Sequence, residues 1–439
     1  MTQQTASTAI DIGSRLELFI DQQIVETLTQ TAFRLHAPQP QPPPANPVTG
    51  AYMSVLKDGD LYRAYGRRYD PTYTDERSDG NKGEITWYAE SRDGREWTFP
   101  SLGLYEIDGS SDNSAILADR APFCHNFAPF IDDRPGIESA ARFKALAGTH
   151  PGGLHPFYSA DGIHWEQVGD VPVISHEDFA FDSQNVSFWS SVEQCYVCYF
   201  RSWVTSHGRL RTISRTTSAD YLHWSEPTPM DPNLPGEHLY VSGTHPYFRA
   251  PHIYIALPTR FHPDRGDSTD ILFMVTRAGS TEYQRLFTEA FIRPGLDPQR
   301  WGNRANYAAF GVVPTGAGEI SIYHNHSGQR YTLRTDGFIS VNAGFAGGEF
   351  VTKPLLFTGI ELLLNYSTSA SGSLQVEIQE ADGTPIPGFG LDDCAPIVGD
   401  EIERAVRWSG ETDLAQLAGK PVRLRFAMRE CDLFSIRFR

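Results

Sequence analysis

Cysteine is scarce in this chain: Cys124, Cys195, Cys198, Cys394 and Cys431 are the only five among 439 residues. An odd, thinly spread set is no disulfide framework, which sets aside the small cross-linked scaffolds. Cys195 and Cys198 have the spacing of a metal-binding pair, but they bracket Tyr196 and Val197 in a strand-like run. Residues three apart on a strand point to opposite faces, so the two thiols do not share an ion. Basic charge is also in deficit. With 37 Lys and Arg against 54 Asp and Glu the net charge is −17, which argues against nucleic acid as a partner. No apolar run approaches the roughly 20 residues of a spanning helix, so no membrane partner is expected. Residues 1–15 carry neither a basic start nor an apolar stretch. No signal peptide is visible there, and the cytoplasm is the expected compartment.

Long helix-period runs are missing as well. What the chain has instead is a repeated turn. Ser91-Arg-Asp93-Gly94-Arg-Glu-Trp97 returns as Ser159-Ala-Asp161-Gly162-Ile-His-Trp165, and as Ser218-Ala-Asp220-Tyr221-Leu-His-Trp224 without its glycine. Weaker echoes stand at Thr276-Arg-Ala-Gly279 and Arg334-Thr-Asp336-Gly337-Phe338; the first residues lie 68, 59, 58 and 58 apart. A fixed period of this size is the mark of a repeat architecture. Asp accepts hydrogen bonds from the backbone ahead of it, Gly supplies a positive φ, and the Trp anchors one repeat on its neighbour.

Each turn follows an extended stretch, such as Ile85–Ala89, His155–Tyr158, Thr212–Ser214, Ile271–Val275 or Tyr331–Leu333. Two further β-like runs precede it in each repeat, for example Tyr52–Leu56 and Leu61–Tyr65 around the turn Lys57–Asp60. Three or four short strands per unit and five units predict an all-β fold: a five-bladed β-propeller. Its expected extent is 1–345. Leu16–Ile20 is expected to fasten the ring by pairing with the last blade, and Pro38–Pro44 reads as a stiff surface connection.

Near Ala343–Gly348 the period stops. Ile360–Tyr366, Leu374–Ile378, Val422–Met428 and Phe434–Phe438 alternate apolar with polar residues, as half-buried strands do. Asp382-Gly383 marks a tight turn, and Asp413–Ala418 a short helix capped by Asp413 and stopped by Gly419. Residues 346–439 are therefore expected to form a C-terminal β-sandwich.

A five-bladed propeller followed by a β-rich domain resembles the glycoside hydrolases of families 32, 43 and 68. The Asp-containing turns are also similar to the Asp-boxes of sialidases, which have one more residue between Asp and Gly. The resemblance covers roughly residues 15 to 345, rests on architecture, and implies a carbohydrate partner. The 12% aromatic content, with 19 Tyr and 8 Trp, suits sugar faces, though blade packing uses aromatics equally.

Strand order sorts the polar residues. If each blade runs outward through four strands, the turns after its first and third strands share one end, so Asp93, Asp161, Asp220 and Asp336 are structural. Asp58, Glu193 and Glu319 fall at that end too. The opposite end collects the starts of the first strands: His125-Asn126, Asp182 with Asn185, His245, and Arg304 with Tyr307. Asp182 opens an innermost strand and is expected to face the funnel. The ends of the second strands add Arg67, Arg68, Arg201 and Arg260, with His150 and His324. Such a ring suits an anionic group unless each Arg pairs with a nearby acid, such as Glu177, Asp178, Glu237 or Asp297.

Glycosidic cleavage needs one carboxyl to protonate the leaving oxygen and another to attack or to activate water. The resembling families place three carboxylates on the innermost strands of the first three blades, and this chain matches only the third, Asp182. Glu237 is the first candidate for the partner, then Asp70 and Glu76, with Asp21 possible only if its strand lies innermost. His245 reads as a water or cation ligand or as a satisfied core histidine. No metal and no cofactor are expected. Three functions remain open: a glycoside hydrolase acting on a terminal sugar, a phosphorylase holding phosphate on the arginines, and a glycan-binding propeller without catalysis.

Overall fold

The computed structural model describes residues 9–409 and 413–439. Among them there is no α-helix, only β-strands and five short 3-10 turns. No helix is long and apolar enough to cross a membrane. The chain divides into two compact units, Pro38–Thr332 and a second that joins the segment up to Ala37 with Leu333–Arg439.

In the unit Pro38–Thr332, five antiparallel sheets follow one another along the chain, with a sixth split off from the fourth. The first is Ala51–Asp58, Leu61–Tyr69, Glu84–Ser91 and Ala115–Leu117. The second opens with Ala128–Ile131, the third with Val186–Ser190, the fourth with His245–Tyr247 and the fifth with Val313–Gly316. The fourth departs from the pattern. Its hairpin breaks at Leu257-Pro258 and Leu272-Phe273, because proline has no N–H to donate to the ladder. The outer halves, Thr259–His262 and Ser268–Ile271, pair with each other, and Thr259–His262 also pairs with His238–Leu239, as a separate sheet. The expected strand Ile271–Val275 straddles that break.

The opening strands are neighbours in succession, first to second, second to third, third to fourth. The Val312 N–H then donates to His245 Nε2 at 3.1 Å, linking fifth to fourth. Val55 N–H to Phe310 O and Phe310 N–H to Met53 O, both 2.8 Å, link fifth to first. Gly311 permits that approach: at φ +105° a Cβ there would stand 2.1 Å from the Val55 carbonyl oxygen.

The repeated turns take the predicted form. Ser91 Oγ accepts from Gly94 N–H at 2.9 Å, and Asp93 Oδ1 accepts from the N–H groups of Arg95 and Glu96 at 2.8 and 3.0 Å. The Ser159 and Ser218 turns repeat these bonds. Tyr221, standing where the others have glycine, still adopts φ +72°. Its ring is wholly buried against Phe130, Tyr196 and Trp224, and that packing offsets the backbone cost.

Two expectations about the N-terminus are overturned. Glu17–Leu18 pairs with Val422–Phe438, not with the last sheet of the repeats. The outermost strand of that sheet is Gln39–Pro40, inside the stretch expected to be a plain connection. Proline is admissible there because an edge strand can leave one side unbonded. Asp336 also leaves the repeat: it belongs to the other unit, where its buried carboxylate accepts from Asn365 Nδ2 and Ser435 Oγ at 3.0 and 2.9 Å.

The second unit is one hydrogen-bonded sheet of ten strands. The four alternating stretches of the sequence are here two strands, Leu362–Glu380 and Val422–Phe438, paired antiparallel with an irregularity between Thr368 and Ser373. Leu364, Val376, Leu424 and Ile436 lie in its core, joined by Ile12, Phe19 and Ile24 from the N-terminal segment. Leu414–Leu417 forms a 3-10 turn, with Asp413 accepting from Ala415 N–H at 3.0 Å.

Candidate active site

In the unit of five sheets, the first strands meet two cavities of opposite character. Residues within those strands (Val55, Phe130, Phe188, Tyr247 and Val313) line an apolar one of about 470 Å³. A polar one of about 190 Å³ is lined by Tyr52, Asp182, Tyr240 and Tyr307, at or before the starts of first strands, and by Arg67 and Asp79, from the end of a second strand and the loop after it. None of Asp93, Asp161 and Asp220 reaches the polar cavity, which is the sorting that strand order implies.

Backbone strain concentrates here. Tyr52, Asn303, Arg304 and His326 all line this cavity at positive φ, between +49° and +65°. Such conformations cost energy in residues other than glycine and persist where surrounding structure enforces them, often at functional sites. At Tyr52 the cause is visible: the register of its hairpin slips between Ala51 and Ser54. A bulge of this kind turns a side chain out of its alternating direction. The Tyr52 ring stands edge-on to His125 and to Tyr307, with centroids 5.9 and 6.3 Å away. Tyr307 in turn meets Tyr240 at 5.9 Å. Burial pushes the phenols of Tyr52 and Tyr307 well up, so both remain neutral hydroxyls.

Asp182 is held by its own main chain. The Phe181 carbonyl accepts from Asn126 Nδ2 at 2.5 Å and from Asn185 Nδ2 at 3.3 Å; Ser183 O accepts from Asn126 Nδ2 at 3.1 Å. Tyr52 Oη–H donates to Asp182 O at 3.3 Å, and His125 Nε2 stands 3.3 Å from the same oxygen. Asn126, Asn185 and His125, expected to touch substrate, are instead buried and position the segment that carries Asp182. Burial raises the pKa of Asp182, opposed by Arg201 and reinforced by the negative charge of Asp79.

The arginine ring of the sequence reading is largely neutralised. Arg201 Nη2 lies 2.7 Å from Asp182 Oδ1 and donates to Phe179 O at 2.7 Å. Arg67 donates to Glu84 Oε1 at 2.9 Å and to His125 O at 3.1 Å, its guanidinium 4.9 Å from the centre of the Tyr52 ring. Glu84 also meets His125 Nδ1 at 2.8 Å, so Glu84, Arg67 and His125 form one buried cluster beneath the cavity. Arg68, next along the strand, faces the other way and covers Trp87 and Phe99. Arg260 is forked onto Asp270 at 3.0 and 2.7 Å. Arg304 is the half-exposed member at the cavity, 3.5 Å from Asp267 and 3.4 Å from Tyr240 Oη.

Three expected partners of Asp182 are placed elsewhere. Glu237 is buried outside the cavity, clasped by Arg285 at 2.7 and 3.1 Å and accepting from Leu234 N–H at 3.1 Å. Asp70 caps an exposed turn through Thr72, accepting from its N–H and hydroxyl at 2.8 and 2.7 Å. Asp21 lies in the other unit, accepting from Gln23 N–H at 2.9 Å. His245 is a satisfied core histidine: Nδ1–H donates to Gly243 O at 2.8 Å, Nε2 accepts from Val312, and burial lowers its pKa to about 4.

The second carboxylate at the cavity is Asp79, its side chain 64% exposed. The sequence reading stopped at Asp70 and Glu76 in the same loop and passed over Asp79, Glu84 and Tyr52. Strand order held the clue. The starts of third strands lie at the same end as the ends of second strands, and Glu84 opens a third strand directly opposite Tyr69. Among the described residues no group of three or more His, Cys, Asp or Glu is placed to hold a metal ion.

No family model matches the sequence, and no curated protein matches it. Solved structures do. A family 43 arabinoxylan arabinofuranohydrolase from Bacillus subtilis, in complex with cellotetraose, matches at TM-score 0.43 and 14% identity, covering 89% of this chain and 95% of its own. A fructofuranosidase from Schwanniomyces occidentalis complexed with fructosylnystose gives 0.41 and 10%, covering 91% and 96%. A β-1,2-mannobiose phosphorylase from Listeria innocua gives 0.44 and 12%, covering 65% and 90%. The chain is similar to these solved glycoside hydrolases and this phosphorylase at the level of the fold.

Proposed function

We propose that the five sheets close as a five-bladed propeller, and that the polar cavity at its centre cleaves the glycosidic bond of a terminal sugar. One observation carries this reading: two carboxyls line a single cavity in unlike surroundings. Asp182 is buried, with its pKa raised, while Asp79 stands in water. Environments that push two carboxyls apart make an acid of one and a base of the other. Asp182 gives its proton to the glycosidic oxygen as the bond breaks, and the Asp79 carboxylate serves the attacking side. Tyr52, Tyr240 and Tyr307 supply aromatic faces for the sugar ring. A cavity of about 190 Å³ is small against the 300–1,000 Å³ typical of ligand pockets and suits one sugar unit. The cytoplasm is the compartment we propose.

A phosphorylase would need free guanidiniums for phosphate, and Arg67, Arg201 and Arg260 are already paired. A glycan-binding propeller without catalysis has one observation in its favour, the contact of Arg201 with Asp182, which favours the charged form and so works against proton donation. Product release from a broad panel of glycans and aryl glycosides separates the readings. We expect release that is lost in Asp182→Asn and Asp79→Asn. Sugar binding with no product from the wild-type chain would overturn catalysis and leave the binding reading.

A further inference from the structure

Beside the polar cavity lies a groove of about 990 Å³ on the same unit. The segment Trp301-Gly302-Asn303-Arg304 is the wall between them: Trp301 lines the groove, while Asn303 and Arg304 line the cavity. This wall is fixed. Asn303 N–H and Arg304 N–H donate to Gly266 O and Asp267 O at 3.3 and 2.8 Å. Ser268 Oγ donates to the Trp301 carbonyl at 3.3 Å, and the indole N–H donates to Gly295 O at 2.8 Å. Trp301 is thus anchored by its polar edge yet 59% exposed. A bulky aromatic ring held rigid in water costs hydrophobic free energy that a stacked ligand would return.

The groove is also cationic. Arg260 and Asp270 cancel each other. Arg265 and Arg293, both exposed, have no ion pair or side-chain hydrogen bond among the described residues, and Glu289 is the one carboxylate lining the groove besides Asp270. A positive surplus beside an aromatic platform is unusual on a chain of net charge −17. Guanidinium groups recognise carboxylates by paired, charge-assisted hydrogen bonds.

We propose that this groove binds the continuing units of an acidic oligosaccharide, a uronate chain whose terminal sugar enters the polar cavity. A sugar face stacks on Trp301 and a uronate carboxylate pairs with Arg293 or Arg265. This deepens the catalytic reading and rests on it only for what happens to the terminal unit.

Calorimetric titration tests it, with tetrasaccharides of galacturonic and of mannuronic acid as probes and neutral maltotetraose as control. At least one acidic tetramer should bind, more weakly as salt rises, and maltotetraose should not. Trp301→Ala and Arg293→Gln should each weaken that binding about tenfold. Groove binding without turnover in the wild-type chain would refute the catalytic reading alone. Equal binding of maltotetraose, no binding of either acidic tetramer, or indifference to both groove substitutions would refute the groove.

Discussion

Arg201 and Asp182 meet at 2.7 Å with the guanidinium side chain wholly buried, so the residue proposed as acid is also half of an internal ion pair. Its substitution therefore has two consequences that must be separated. Asp182→Asn should abolish turnover and should also destabilise, by about 3 kcal/mol, because a buried arginine is left without its counter-charge. Adding Arg201→Gln should restore much of the stability and none of the activity. Urea unfolding beside a glycosidase assay reads both; a stable, active Asp182→Asn would defeat the assignment.

Asp79 should behave otherwise. Its side chain is mostly in water, so Asp79→Asn should leave the melting temperature within a degree or two of wild type. Loss of a general base or nucleophile should still cut kcat by about 10²–10⁴. An unchanged kcat would leave Asp182 without its partner.

Glu237 gives the reverse pattern. Its carboxylate is buried and forked by Arg285 outside the cavity. Glu237→Gln should cost about 3 kcal/mol of stability, the usual penalty for stranding a buried charge, and leave kcat per folded molecule unaltered. Denaturant melts with active-site titration would decide; a specific loss of kcat would return Glu237 to the chemistry.

Stability should fall on acidification below pH 6.5. Burial lowers His245 to about 4 and His324 to about 3, from an ordinary value of 6.5. Between those limits the unfolded chain binds protons that the folded chain refuses, so the folded state loses ground as pH drops. Each histidine contributes a slope of about 1.4 kcal/mol per pH unit in that window. Unfolding free energies from pH 4.5 to 7.5 should show it, and His245→Gln should flatten the slope by one proton. An unchanged slope would mean that His245 titrates alike in both states.

The contact between fifth and first sheets can be tested at one atom. In Gly311→Ala the new Cβ meets the Val55 carbonyl, so the strand pairing there must open. A loss of about 3 kcal/mol or more is expected, from steric displacement together with an unfavourable positive φ. Melting indistinguishable from wild type would show that the two strands separate at no cost.

The sequence alone determined what is local and periodic. Ser91, Asp93 and Gly94 make a turn because their own side chains satisfy their own backbone, and the same bonds recur wherever the motif does. Strand order then sorted the polar residues by end and put Asp182 at the end where the polar cavity lies. Only the tertiary structure decided which groups share the cavity, because a repeat period says nothing about pairing between loops of different sheets. Arg67 could have met substrate and meets Glu84; Glu237 could have met Asp182 and meets Arg285. Leu16–Ile20 and Gln39–Pro40 could each have completed the last sheet. The choice fell to whichever edge was still short of hydrogen-bond partners once the other strands had paired, and that is a property of the assembled sheets.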